Sequence, residues 1–477
     1  MLTNRINGHF ARSLLKLRHK PLYAALLAAS MCLAPQVQAQ DSLPESLSQS
    51  IRQAIENNPE VQARWHEFQA LDDGLSASRS GYLPRIDITA RTGRNDRNYG
   101  NNDAFSSSDA EISLIQNLFN GFRTRGEVSQ ASEQKLVGYY TFMEQLESTA
   151  LEAIAAYQDV LRQRELVQLA EDNLRQHERV FEQISDSAAA GVARSVDLEQ
   201  ISGRLSLAEA NLITEQSNLH DVSARYQRIT GDVPPGSLPA APLQAEQLPQ
   251  TLEQALSNAL VHNPGYLAAS RNIAVADAEI SIRKANLSPS LDLALRQNYQ
   301  SHDELGNRDN RNEAQIGLEF RYNLYSGGRD MANIRGAHDE ANAARDLRNK
   351  ACTDLRQTLQ IAFNDVNKID LQLTALNQHR LSSSRVRTAY KQQFDIGQRT
   401  LLDVLDAENE YFQASRAYAN AVYDREIAIA RTLEAQGQLL STLGIVRTGL
   451  PDLGSETEAQ QNQPGSCLSN SQSLAQR

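Results

Sequence analysis

The chain of 477 residues has little cysteine and tryptophan, and no long apolar run beyond its N-terminal region. It contains three Cys, one Trp and only 6% aromatic residues. After residue 39 no segment approaches the roughly 18 consecutive apolar residues of a membrane-spanning helix. That absence excludes a spanning helix but leaves membrane strands open, because their side chains alternate and escape hydropathy windows. The low aromatic content favours long helices over one thick globular core.

Sequence signatures of enzymes are also missing. There is no Gly-Lys pair, which excludes a phosphate-binding loop, and neither His-Glu-x-x-His nor Cys-x-x-Cys occurs. The histidines after residue 39 are scattered along the chain: His66, His177, His220, His262, His302, His338 and His379. We therefore predict that the protein is not an enzyme and binds no cofactor or metal.

Residues 1–39 have the composition of a secretory signal peptide. A basic stretch without acids precedes an apolar stretch over residues 21–34, and Val37-Gln38-Ala39 forms a small-x-small cleavage site. A retained membrane anchor is the alternative, but the apolar stretch is too short to span well. Met31 precedes Cys32 where a lipoprotein needs a small residue, so we expect no lipid anchor.

Cleavage makes the chain more acidic. Removing five of the 47 basic residues leaves 42 against 58 acidic residues, a net charge of −16. Such a chain binds nucleic acid poorly. Two cysteines remain, Cys352 in a predicted helix and Cys467 in a polar tail, and this placement argues against a structural disulfide.

The chain contains a tandem duplication. Asn58-Pro59 matches Asn263-Pro264 at an offset of 205 residues (263 − 58), and Gly191 matches Gly397 at an offset of 206 (397 − 191). Residues 117–119 (Asn-Leu-Phe) match residues 323–325 (Asn-Leu-Tyr) in the same register. A register held over this span indicates that each half is one structural unit.

Each half has the same predicted order. A short helix ends at Asn-Pro, because the residue before proline avoids helical angles, and a second helix, two strands and a long helical hairpin follow. The long helices, about 124–188 and 329–396, carry heptad-like apolar stripes typical of coiled-coil packing. The predicted divisions are 1–39, signal peptide; 40–231, first repeat, with strands about 84–92 and 111–119 and a hairpin tip near 191–195; 232–250, linker; 251–444, second repeat, with strands about 290–299 and 313–324 and a tip near 397–400; and 445–477, C-terminal segment with a disordered tail.

The predicted strands alternate apolar and polar residues. In the second half Ile316, Leu318 and Phe320 alternate with Gln315, Gly317 and Glu319. This pattern is the signature of membrane-barrel strands, and an ordinary half-buried hairpin is the alternative. The polar stretches 95–109 and 301–312 are predicted to be exposed loops. Four strands cannot close a barrel, and open edges are not tolerated in lipid, so the chain must oligomerise.

Taken together, these features resemble the TolC family of outer-membrane channels. The resemblance covers roughly residues 42–445, and residues 397–408 (GQRTLLDVLDAE) are similar to the family's periplasmic tip motif. The overall pattern is similar to the type I secretion members, including the adhesin-exporting LapE and agglutination-protein group. The resemblance implies a mainly α fold with membrane β: a homotrimer, a helical periplasmic barrel, a 12-stranded β-barrel with four strands per subunit, and an equatorial layer from residues 40–58, 232–262 and after 443.

Asp403 and Asp406 are the sharpest site candidates. They lie three residues apart on one helix face, and in a trimer they would form two rings of three carboxylates that select or block cations. The resemblance places them at the periplasmic constriction. Thr400 with Asp403 also fits a helix cap, which explains Asp403 as well as a ring does. The resemblance further implies that Arg399 and Asp197 hold the tips shut. Phe394 stands where the family has Tyr, which removes one hydroxyl link.

The function that follows is passive transport. The resemblance implies a trimeric outer-membrane exit duct that docks to a periplasmic adaptor (membrane fusion protein) and an inner-membrane ABC transporter, and that conducts an exported protein, such as a large adhesin. One alternative is the outer-membrane channel of a multidrug efflux pump with an RND transporter. Another, of a different class, is a soluble periplasmic coiled-coil adaptor, against which the alternating strands argue.

Overall fold

The computed structural model describes residues 45–96, 98, 104–192, 194–243, 245, 248–304, 307–451 and 453, without the side chains of 302–309. The predicted signal peptide and the predicted disordered tail after residue 454 lie outside the described residues. Nothing in the structure therefore bears on them.

The two halves repeat one order of elements. The first half holds α1 (Glu45–Asn57), α2 (Pro59–Arg79), a short 3-10 turn (Ser80–Tyr82), β1 (Arg85–Asp96), β2 (Ala104–Phe119), α3 (Arg123–Ala189) and α4 (Ser195–Thr230). The second holds α5 (Leu252–His262), α6 (Pro264–Ala285), β3 (Ser290–Glu304), β4 (Asn307–Arg321), α7 (Arg329–Asp395), α8 (Leu401–Ala435) and α9 (Leu439–Thr442).

The Asn-Pro pairs start α2 and α6 by the same mechanism. The Asn58 side chain accepts a hydrogen bond from the N–H of Glu60 at 2.8 Å, and the Asn263 side chain accepts one from Tyr266 at 2.9 Å. Proline follows as the first helical residue in both cases, where its missing N–H costs nothing. Each pair therefore ends one helix and caps the next.

The long helices α3 and α7 have 67 residues each. At a rise of 1.5 Å per residue each is about 100 Å long. Each packs against its return helix, α4 or α8, to form a hairpin, and α6 packs against both α3 and α7. Among the described residues, none of the helices is long and apolar enough to cross a membrane.

The four strands form one antiparallel sheet in the order β1-β2-β3-β4. The register pairs Leu291 with Phe320, Leu293 with Leu318 and Leu295 with Ile316, so these apolar residues share one face. The large side chains that β4 places on this face are exposed in a single chain; Ile316 is 72% and Phe320 68% exposed. Strands β1 and β4 are the two edges of the sheet.

The prediction of long exposed loops at 95–109 and 301–312 is wrong over most of both stretches. Strand β1 continues to Asp96 and β2 begins at Ala104, while β3 continues to Glu304 and β4 begins at Asn307. Polar side chains pair across these strand ends: the Thr92 and Ser108 hydroxyls are 3.0 Å apart, and Asn95 donates to the Ser107 hydroxyl at 2.8 Å. Backbone pairing between strands needs no alternation of apolar residues. The polar composition of these stretches therefore led to a wrong prediction of loops.

The main core surrounds the middle of α3. The segment 232–250, predicted as a linker, packs there: Tyr157 donates to the Pro239 carbonyl at 2.8 Å, and Gln158 donates to the Ala241 carbonyl at 2.9 Å. Helices α1 and α9 pack on α3 as well. The fully buried members of this core include Leu47, Ile51, Ile154, Tyr157, Ile429 and Leu439.

The expectation that Cys352 lacks a disulfide is wrong. Cys352 on α7 is disulfide-bonded, and the other two cysteines of the chain, Cys32 and Cys467, both lie outside the described residues. The sequence argument rested on the placement of Cys352 in a predicted helix and Cys467 in a polar tail, which does not limit proximity in space.

Candidate constriction at the hairpin tips

Both helical hairpins turn on a glycine with a left-handed backbone. Gly191 has φ +75° and Gly397 has φ +73°. A side chain at either position would be strained, because residues other than glycine rarely adopt this conformation. The first turn is followed by α4, whose first residues Ser195 and Val196 are exposed, and the second by α8, whose first residue Leu401 is buried.

An apolar cluster joins the two tips. Its buried members come from both hairpins: Val180, Ile184, Ile201, Leu401 and Leu405. Ile201 is fully buried and Leu405 is 1% exposed. Phe394 packs against this cluster from the end of α7. Phenylalanine therefore contributes apolar contact at this position, where a tyrosine hydroxyl would require a polar partner.

Asp403 closes a capping box at the start of α8. Its Oδ2 accepts hydrogen bonds from the Thr400 hydroxyl at 2.8 Å and the Thr400 N–H at 3.0 Å, and its own N–H donates to the Thr400 hydroxyl at 3.3 Å. The two bonds from Thr400, and then the Arg399 guanidinium, lower the pKa of Asp403. Asp403 therefore stays ionised to a lower pH than an ordinary aspartate.

Arg399 is held within its own hairpin. Its Nε donates to the Gln393 side-chain oxygen at 3.0 Å, its Nη1 lies 3.7 Å from Asp403 Oδ1, and its guanidinium lies 4.3 Å from the Tyr390 ring centroid. The last contact is a cation–π interaction. These three partners all belong to α7 and α8, so within one chain Arg399 fixes the shape of the second tip.

Asp406 is the carboxylate that reaches the other hairpin. Its Oδ1 lies 3.3 Å from Nη2 of Arg204, which belongs to α4. The Asp406 side chain remains 61% exposed. Asp403 and Asp406 both line one cleft between α7 and α8, together with Tyr390 and Glu410. The structure thus brings the two predicted carboxylates together on one face.

Asp197 lies in the first turn of α4, where its N–H donates to the Arg194 carbonyl at 3.1 Å. Within the described part of a single chain, Arg399 and Asp197 do not pair.

Sequence reasoning missed Tyr390, Gln393 and Arg204. A signal existed for Tyr390, which precedes Phe394 by one helical turn, but none existed for Arg204, whose partner lies 202 residues away.

Buried polar contacts continue the joint between the hairpins above the tips. Arg416 of α8 lies 2.5 Å from Glu215 of α4, and Gln163 of α3 donates to the same carboxylate at 2.6 Å. The Glu215 side chain is 4% exposed. Nearer the tips Arg387 and Glu408 lie 3.5 Å apart, and burial raises the pKa of Glu408. The Glu215 carboxylate of α4 thus links α3, α4 and α8.

The chemistry at the tips is electrostatic. No group of three or more His, Cys, Asp or Glu side chains within the described residues is arranged to hold a metal ion. Two adjacent carboxylates on one chain attract cations weakly in water. Several copies around an axis would add their charges.

The duplicated hairpins and the exposed apolar sheet face define an outer-membrane channel subunit, and comparison with known proteins identifies the family. The outer membrane efflux protein family model matches residues 50–232 and 255–438. The chain belongs to this family. It lies in the outer membrane with a large periplasmic helical portion and is not an enzyme.

The chain is similar to several characterised proteins. It is 27% identical to the outer membrane efflux protein BepC of Brucella suis, over 87% of this chain and 90% of BepC. It is 24% identical to the outer membrane protein TolC of Escherichia coli, over 83% of each, and 23% identical to the proteases secretion protein PrtF of Dickeya chrysanthemi, over 78% and 83%. The crystal structure of the Campylobacter jejuni CmeC outer membrane channel superimposes with a TM-score of 0.75 at 16% identity, over 83% and 86%.

The mainly α fold class with duplicated hairpins and four strands is confirmed, as is the predicted TolC family. Channels of this family are trimeric and work with adaptors and inner-membrane transporters. The soluble adaptor alternative is thereby excluded.

Proposed function

We propose that three copies of this chain form the exit duct of a type I secretion system, through which an exported protein leaves the cell passively. The sheet carries this proposal. It has two unpaired edges, β1 and β4, and an exposed apolar face. Open strand edges are not tolerated in lipid, so three sheets closing on one another into twelve strands satisfy the backbone.

The hairpin tips supply the gate of the proposed duct. In three copies Asp403 and Asp406 form two stacked carboxylate rings at the periplasmic end. Arg399 shapes the second tip from within, and the pair of Arg204 with Asp406 and the Ile201 cluster hold the tips together. Asp197, Gly191 and Gly397 complete the tip turns, and Phe394 packs behind them.

Opening requires that these contacts be exchanged for contacts with partners. The chain has no nucleotide-binding loop, so we assign the energy of transport to an inner-membrane ABC transporter, reached through a periplasmic adaptor.

A polypeptide cargo is favoured by the relatives named for secretion. PrtF is named as a proteases secretion protein, and AprF of Pseudomonas aeruginosa as an alkaline protease secretion protein. We propose a large adhesin as the cargo, because the chain resembles the adhesin-exporting group. A small-molecule efflux channel is the second candidate, favoured by the similarity to BepC, which is named an efflux protein.

A deletion strain separates these two candidates. We expect the strain to lose at least one large protein from its culture medium or cell surface, while its sensitivity to a panel of drugs and detergents stays unchanged. Complementation with the intact gene should restore secretion. Hypersensitivity to drugs with a normal set of secreted proteins would contradict the secretion proposal and favour efflux.

A further inference from the structure

A basic cleft of roughly 490 Å³ lies where the strands meet the long helices. It is lined by the ends of α6 and β4 and by the first residues of α3 and α7. Three arginines reach it, Arg123, Arg321 and Arg329. Asp330 is the one acidic residue among the described residues that line it, so three positive charges face one negative charge.

These arginines are incompletely neutralised. Arg123 donates to the Asn286 side-chain oxygen, a neutral partner. Arg321 lies 3.9 Å from Glu319, which pairs more closely with Arg296, and Arg329 lies 3.5 Å from Asp330. The side chains of Arg321 and Arg329 are 74% and 71% exposed. Because a guanidinium carries five N–H donors, most of the donors on Arg321 and Arg329 remain open to a ligand.

Two helix N-termini add to the positive potential. Helices α3 and α7 both begin at the cleft, and one N–H group in each first turn donates to a side chain: Thr124 to the Asn120 oxygen at 3.5 Å and Asp330 to the Ser326 hydroxyl at 3.4 Å. The backbone dipoles of a helix leave partial positive charge at its N-terminus. The helix ends alone would not make a site, but here they reinforce three guanidinium groups.

The cleft lies on the polar side of the sheet. Ser290 pairs with Arg321, and the neighbouring pair Leu291 and Phe320 lies on the opposite, apolar face. Next to the cleft Tyr322 and Tyr325 are 48% and 84% exposed, as expected for aromatic residues at a membrane interface. This position favours a ligand dissolved in water over the acyl region of a lipid.

We propose that this cleft binds a phosphate group. A phosphate group offers several acceptor oxygens and up to two negative charges. These match the fork-shaped arrangement of N–H donors on Arg321 and Arg329. Asn286 and Asn333 supply neutral donors at the rim. A halide offers a single centre and uses few of these donors. The site depends on the cleft alone and stands whether or not the secretion proposal holds.

The test is a calorimetric titration. Inorganic phosphate is added to the purified protein in detergent, in a buffer that is otherwise free of phosphate and low in chloride. We expect saturable binding of one phosphate per chain. Replacing both Arg321→Gln and Arg329→Gln should weaken binding at least about tenfold, because each removed hydrogen bond to a charged group contributes about that factor. Arg335→Gln, an exposed arginine of α7 outside the cleft, is the matched control and should bind normally.

A second arm identifies the source of the phosphate group. If a lipid headgroup occupies the site, native mass spectrometry from phosphatidylglycerol nanodiscs should show lipid retained by the wild-type chain and lost in the double variant. If only the calorimetry responds, dissolved phosphate is the source. Either result supports the site. The proposal is overturned if neither probe binds, if chloride binds as tightly as phosphate, or if the double variant binds like the wild-type chain.

Discussion

Glu147 shows how burial turns one side chain into a pH-sensitive group. It lies on α3, is 4% exposed, and its carboxylate accepts hydrogen bonds from the N–H groups of Leu439 at 3.0 Å and Leu440 at 3.4 Å. Burial raises the pKa of Glu147 to about 7, against an ordinary value of 4.5, and the charge of Glu434 adds to the rise. The two N–H hydrogen bonds lower the pKa of Glu147 but do not offset the loss of hydration.

The first prediction follows from the direction of that shift. A raised pKa means that the folded chain prefers neutral Glu147, so its contribution to stability is complete below pH 4.5 and is lost as the pH rises through about 7. Glu147→Gln removes this dependence. We expect the two proteins to melt together at pH 4, and the variant to be more stable at pH 8 by up to about 3 kcal/mol, which is the free energy of a pKa raised from 4.5 to about 7.

Thermal melting of both proteins between pH 4 and pH 8 checks this result. Glu152→Gln, at a more exposed position of the same helix, is the control and should melt in parallel with the wild-type chain at every pH. Equal pH profiles for Glu147→Gln and the wild type would show that Glu147 is ionised normally.

The second prediction separates the two carboxylates of the tips. Asp403 caps α8, so its replacement changes both helix stability and charge, whereas Asp406 makes no cap. We expect Asp406→Asn to weaken block of single channels by a divalent cation, and Arg204→Gln to strengthen it, because Arg204 offsets the Asp406 charge at 3.3 Å. An exposed ion pair contributes up to about 1 kcal/mol, so changes of about two- to fivefold are expected in planar bilayers.

The opposed signs provide the internal control for this experiment, since a general distortion of the tips would move both variants in one direction. If neither variant alters block while the channel itself conducts, Asp406 does not line the constriction.

At the scale of elements, the joint between the hairpins depends on buried charge. Glu215 is the centre of this joint, because Arg416 and Gln163 both contact its carboxylate from other helices. A buried charge that loses its partner is costly, whereas replacing a whole pair by apolar or neutral groups is often tolerated.

The third prediction is a double-mutant cycle on this pair. Arg416→Leu should destabilise the protein by about 3 kcal/mol, because Glu215 then stays buried without its counter-charge. Adding Glu215→Gln should recover most of the loss. Melting temperatures of the wild type, both single variants and the double variant check the cycle; additive losses would mean that the two side chains do not interact.

Elements with a local sequence signal were predictable. The Asn-Pro pairs, the 206-residue register and the heptad stripes predict the order of helices and strands, and the strict alternation at 314–324 predicts membrane strands. The polar strand ends near Thr92 and Asn95 lacked such a signal, because cross-strand hydroxyl and amide pairs look like loop composition. The pair of Arg204 with Asp406 and the disulfide of Cys352 depend on contacts far apart in sequence, which one sequence does not encode locally.

At the scale of the whole molecule, the duplication sets how the helices of the two halves pack. Each half supplies a hairpin of about 100 Å, and α7 packs against α6 and α8 as α3 packs against α2 and α4. The sheet needs more than one chain, since its apolar face and its two edges have no partners among the described residues. The chain therefore needs further copies before its sheet can lie in lipid.

The fourth prediction tests which face of the sheet meets lipid. Ile316 and Gln315 are neighbours on β4 with side chains on opposite faces, and both are exposed in one chain. Ile316→Arg should reduce the amount of folded oligomer in the outer membrane, because one arginine on the lipid face costs about 2–4 kcal/mol near the membrane centre. Gln315→Arg adds the same charge to the water-filled side and should assemble normally. Heat-modifiable migration of the oligomer in outer-membrane fractions measures both, and equal loss from the two substitutions would mean that the alternation on β4 does not separate lipid from water.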